Sequence, residues 1–115
     1  MAARFKHYRE LLRLLKTEFP AAFAVSVRRV KLSDVEGRCW KEGRRFFIQL
    51  DSRLNESRAM DVLLHEWAHA RAWNHRLDTA KTDDEFNKLA HDAAWGVAYA
   101  EVYTAYEQHF TTAFM

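Results

Sequence analysis

The sequence predicts an α+β fold in one domain over residues 1–115: an N-terminal helix, a small antiparallel sheet, a central helix and a C-terminal helix. Three observations predict it. Phe5, Tyr8, Leu11, Leu12 and Leu15 recur at the 3.6-residue period of a helix. Residues 23–50 switch to short, mostly alternating apolar runs punctuated by Gly37 and Gly43. Helical spacing returns near Glu56 and again near Asp84. At 115 residues, 49% hydrophobic and 14% aromatic, the chain can bury one real core, which argues against disorder.

The elements follow in order. The first helix is expected over residues 2–18, ended by Pro20, which cannot continue it. Phe23, Val25, Val27 and Val30 mark a first strand over 23–30. Residues 38–41 and 44–50 read as second and third strands, joined as a hairpin near Glu42-Gly43. Asn55 is a natural N-cap, with Glu56 in the first turn of a helix expected to reach Asn74. Residues 75–83 are polar and aperiodic and read as a loop. From Asp84 to His109 the pattern is helical, with a break expected at His91-Asp92.

Net charge is only +2, yet Arg28, Arg29, Lys31, Arg38, Lys41, Arg44 and Arg45 crowd the sheet region. Such a face can attract nucleic acid or acidic peptides, and also serves simply as a solvated surface. Cys39 is the single cysteine, so neither an intrachain disulfide nor a cysteine-based zinc site is available. A lone thiol fits a reducing compartment, and the charged start of the chain lacks the apolar stretch of a secretion signal. No apolar run reaches the ~18 residues that span a bilayer. The expectation is a cytoplasmic protein without membrane partners.

The chemistry concentrates in His65-Glu66-Trp67-Ala68-His69. On a helix, residues four apart lie about 40° apart around the axis and one turn above each other. Two imidazoles so placed can grip one ion, and Zn²⁺ accepts such nitrogens at about 2.0–2.1 Å. Glu66 projects beside the pair, where a carboxylate can take a proton from the attacking water as general base. Met60, Leu63, Leu64 and Trp67 form an apolar stripe that anchors this helix in the core.

A catalytic zinc normally has three protein ligands and one open position. Three residues compete to be the third. Asp92 can cap a helix that begins just after His91, leaving His91 at the helix entrance with Trp95 one turn on as a wall. His75 follows His69 at a spacing that resembles the metzincin pattern, but Ala72 stands where that pattern needs Gly to turn the chain. Glu101, on the C-terminal helix, resembles the downstream Glu of gluzincins.

His65, Glu66, His69, His91 and Trp95, with Trp73 four residues after the second histidine, resemble the SprT-like zinc metallopeptidases. The resemblance covers roughly residues 44–105, and the preceding helix and sheet agree with that family's layout. It implies a minimal zincin-like fold, zinc held by His65, His69 and His91, and Glu66 as general base. It further implies an intracellular peptidase, an endopeptidase rather than an exopeptidase, acting on proteins or peptides attached to or near DNA. An extended substrate would add to the sheet along an edge strand, expected at Arg44–Leu50. The competing class is a non-catalytic module, stabilised by zinc, that binds nucleic acid or protein through its basic sheet face. A closed fourth coordination position would mark that class; an open one would mark the enzyme.

Other residues carry smaller expectations. Tyr99 or Tyr103 can donate to an oxyanion, although tyrosines at helical spacing usually edge the core. Asp61, one turn before His65, can orient that ring or simply face solvent. Trp40, Trp67 and Trp73 are expected in the core, and His7 and His109 at the surface.

Overall fold

The computed structural model describes residues 5–112, with side chains to Phe110; the start expected for the first helix at residues 2–4 lies outside them. Helix α1 runs Lys6–Glu18 and buries Tyr8, Leu11 and Leu15, the expected apolar face. It stops before Pro20, and the turn that follows is clamped to the central helix. Trp67 Nε1 donates to the Phe19 carbonyl at 2.8 Å, and an Arg71 guanidinium nitrogen to the Pro20 carbonyl at 2.9 Å.

Three strands follow: β1 (Ala24–Val30), β2 (Gly37–Glu42) and β3 (Arg45–Asp51). β2 and β3 form the expected antiparallel hairpin, and Gly43 adopts φ 58° in its two-residue turn, a conformation that a side chain would strain. The sheet order is β1-β3-β2 and β1 pairs with β3 in parallel, so the sheet is mixed and the all-antiparallel expectation is corrected. Alternation fixes which side chains face the core, but neither the neighbour nor the direction of a strand. The topology also overturns Arg44–Leu50 as the edge: β3 is the central strand, burying Phe46, Ile48 and Leu50, and the edges are β1 and β2. Residues 31–36 cross between the two edges. Buried Asp51 accepts from the Arg53 backbone and guanidinium, and that guanidinium also bonds the Leu32 carbonyl, which pins the crossover.

Helix α2 (Glu56–Arg71) is the centre of the molecule, packed by α1 and the C-terminal helix as well as by β2 and β3. Asn55 caps it as expected, accepting from the Arg58 backbone at 2.9 Å. It ends at Arg71 rather than Asn74, because Asn74 caps a new short helix, α3 (His75–Asp78), inside the expected loop. Helix α4 (Asp83–Ala90) begins one residue before the expected start, capped by Thr82, whose hydroxyl accepts from the Glu85 backbone at 3.0 Å. Helix α5 (Ala93–Thr112) follows after the expected break at His91-Asp92. No helix among the described residues is long and apolar enough to cross a membrane.

Of the tryptophans, Trp67 is core, as expected. Trp73 is half-buried between Phe46 and Phe86. Trp40 is not core: in a strand with Cys39 facing inward, residue 40 must face outward, and its ring stacks on Phe47 on the sheet's outer face.

Candidate metal centre

Helix α2 brings His65, Glu66 and His69 to its surface facing α5 and the β2 edge, and the α4–α5 junction supplies His91. The three histidines present one ring nitrogen each within 4.8 Å of one another, the one such group among the described residues. His65 Nε2 lies 3.2 Å from His69 Nε2 and 3.5 Å from His91 Nε2. Two nitrogens bound tetrahedrally at about 2.0–2.1 Å from one zinc sit about 3.3–3.4 Å apart. The two separations from His65 are therefore close to those an ion would set. His75 does not join: it is exposed at the start of α3. Nor does Glu101, which is exposed and lies 3.9 Å from the Arg71 guanidinium.

Local structure aims His91. Its backbone N–H closes the last turn of α4 on the Asn87 carbonyl, and its Nδ1 lies 3.0 Å from the same oxygen. A carbonyl can only accept, so Nδ1 carries the proton and Nε2 is left with its lone pair towards the cluster. Asp92 then caps α5, accepting from the Trp95 backbone at 3.0 Å. That bond turns Trp95 over the site, where its ring stands 5.0 Å from His65, 5.0 Å from His91 and, stacked, 5.4 Å from His69. Trp95 is the wall that the sequence led one to expect.

Burial first, then the neighbouring His65 and His91 rings, lower the His69 pKa to about 3, against a weaker backbone hydrogen bond with Ala90. Burial, then His91 and Arg58, lower that of His65 too. Both rings are thus held neutral, the form that binds metal. Glu66 shows the opposite effect. Burial alone raises its pKa to about 7, which suits a group that exchanges protons near neutrality.

Two recesses flank His65 and Glu66 along the β2 edge. One is lined by Glu36, Gly37, Arg58, Asp61, Val62, Tyr99 and Tyr103 and encloses about 390 Å³. The other, about 250 Å³, lies towards Cys39, Trp73, Phe86 and His91. The first is polar, crossed by an Arg58–Glu36 ion pair with Nε to carboxylate at 2.9 Å. Asp61, Tyr99 and Tyr103 line it beside His65, and the Tyr99 ring packs tilted against Trp95 at 5.1 Å. Gly37 lets β2 approach: a Cβ there would stand 2.4 Å from Val62 Cγ1 and 3.3 Å from Glu66 Cγ. Burial pushes the Cys39 thiol up, so it stays protonated and is a poor ligand.

Sequence reasoning missed Gly37, the Glu36–Arg58 pair and the Asn87 carbonyl. Only the last had a local signal, since a helix ending at His91 leaves the carbonyl four residues back within reach.

Comparison with protein-family models, with curated proteins and with solved structures gives no match for this chain.

Proposed function

We propose that this chain is a zinc-dependent metallopeptidase of the SprT-like kind that cleaves within protein or peptide chains. The observation that carries the reading is the trio of ring nitrogens within 4.8 Å of one another, two of their separations close to those of a tetrahedral zinc, beside a buried carboxyl in an open groove. His65, His69 and His91 would hold the ion, His91 oriented through Asn87 and the two α2 histidines through the helix itself. When bound, zinc polarises the scissile carbonyl and makes water acidic enough to attack near neutral pH.

The remaining steps belong to the chain. A substrate in extended form adds to the free edge of β2, whose Gly37, Arg38 and Cys39 line the groove. Glu66 accepts the proton of the attacking water and delivers it to the leaving amine. Tyr99, on the polar side of the same groove, is suited to donate to the oxyanion. Trp95 packs against all three histidine rings and holds their orientation. The lone, half-buried Cys39 accords with a reducing, cytoplasmic setting.

The competing reading is a structural zinc site in a binding module. Structural sites close with four protein ligands, whereas three gather here among the described residues, and His91 is exposed. That supports an open coordination position, and hence the enzyme.

The test is Glu66→Gln in zinc-loaded protein against an unfolded substrate such as reduced casein. The parent should cleave it, and the variant should keep its zinc and lose about 100-fold or more in rate. Equal rates in the two proteins, or no cleavage by the zinc-loaded parent, would overturn the reading.

A further inference from the structure

The face of the sheet turned away from α2 is built in cross-strand rows. In the middle row Ser26 pairs with Phe47 and Phe47 with Trp40; in the next, Arg28 pairs with Gln49 and Gln49 with Arg38. Side chains opposite each other on one face are neighbours, so small Ser26 leaves one side of the Phe47 ring uncovered. The other side is taken by Trp40, stacked at 5.5 Å with the planes 18° apart. The Arg38 guanidinium lies over the Trp40 ring at 5.5 Å and donates from Nε to Gln49 at 2.8 Å. Arg45 reaches across to the Ser26 hydroxyl at 2.9 Å.

The result is a recess of about 330 Å³ lined by Ser26, Arg28, Trp40, Phe47, Ile48 and Gln49, with no acidic side chain in its wall. Two acids alternate onto this face outside the recess: Asp51, at the far end of β3 and paired with Arg53, and Glu42. Glu42 sits at the rim, paired in register with Arg45 and accepting from Trp40 Nε1 at 3.2 Å. Arg28, Arg38 and Arg45 are exposed around the aromatic pair. Ring faces beside fixed guanidinium groups are complementary to a chain that alternates flat bases with phosphates. A double helix offers no free base face to such a recess, and an acidic peptide has nothing to stack there.

We propose that this face binds single-stranded nucleic acid, with one base stacked on Phe47 above Ser26 and the flanking phosphates met by Arg28, Arg38 and Arg45. The surface lies on the opposite side of the sheet from the histidine cluster, and its binding does not depend on zinc or on peptidase activity.

The test is fluorescence anisotropy of a labelled oligothymidylate titrated with the full chain, in chelator and at several salt concentrations. Three phosphate contacts on a single strand give a log–log salt slope of about −2, and Arg28→Gln should reduce it by about 0.7. Phe47→Leu should weaken binding about tenfold at unchanged melting temperature, and Trp40 fluorescence should be quenched in the parent complex. Should Phe47→Leu lower the melting temperature, Arg28→Gln, at an exposed position, decides alone. No binding at low salt, equal affinity for duplex, displacement by polyglutamate at matched charge, or a salt slope unchanged in Arg28→Gln would each overturn the proposal.

Discussion

Gly37→Ala tests the close approach of β2 to α2. The added Cβ would lie 2.4 Å from Val62 Cγ1, and 3.3 Å from both Glu66 Cγ and Leu50 Cδ2. The first distance is far inside contact, and the obstructing atom is no flexible tip. Val62 is branched at Cβ, buried, and fixed on a helix, where one rotamer dominates. Either β2 retreats or Val62 leaves its rotamer, and overpacking of this kind costs about 1–3 kcal/mol. For a domain of this size that is a fall in melting temperature of about 4–12 °C. The double variant Gly37→Ala with Val62→Ala removes the clashing methyl, so the two changes should couple favourably by about 1 kcal/mol. Urea denaturation of the parent, both single variants and the double variant measures that coupling. A Gly37→Ala protein as stable as the parent, or strictly additive effects in the double variant, would refute the packing described here.

Two further outcomes are expected. In chelator, burial holds the Glu66 pKa near 7 in the folded chain against 4.5 unfolded. The folded state therefore binds the proton more tightly, so this group's contribution falls as pH rises from about 4.5 to about 7, by up to about 3 kcal/mol. The metal-free Glu66→Gln variant lacks that penalty, and its stability advantage over the parent should grow between pH 5 and pH 8; an advantage constant with pH would contradict the burial of the carboxyl. Asp92→Ala removes the cap of α5 and frees the segment that aims His91, costing about 1 kcal/mol of stability and about tenfold in zinc affinity, which denaturation and competition with a chelating dye would measure.

What the sequence disclosed and what it hid divide along physical lines. Local signals were legible. Asn55 before an apolar stripe capped α2, and Asp92 three residues before Trp95 capped α5, because a cap is a bond between residues three apart. The second cap fixed where α5 begins and left His91 at its entrance as a candidate ligand. Thr82 and Glu85 form the same kind of signal, with the Glu85 carboxylate accepting from the Lys81 backbone at 3.3 Å. It passed unread because residues 75–83, up to and including Thr82, are polar and aperiodic. Long-range relations left no local trace. The alternation in residues 24–30 is the same whether β1 pairs with β2 or β3, so neither the parallel pairing nor the central place of β3 could be read. Gly37 announces a break in a pattern, but its purpose lies in Val62, 25 positions away across the fold. Trp40 alternates correctly for the outer face, and only its size suggested the core.

The central claim is that His65, His69 and His91 hold one zinc and leave a position open for chemistry. X-ray absorption at the zinc edge, on protein purified without chelator and assayed for metal content, addresses it directly. About one zinc per chain is expected, with about three imidazole nitrogens near 2.0 Å and one oxygen ligand, and loss of the metal in His91→Ala. A zinc with four protein ligands, a sulfur in the first shell, or full zinc retention in His91→Ala would contradict it.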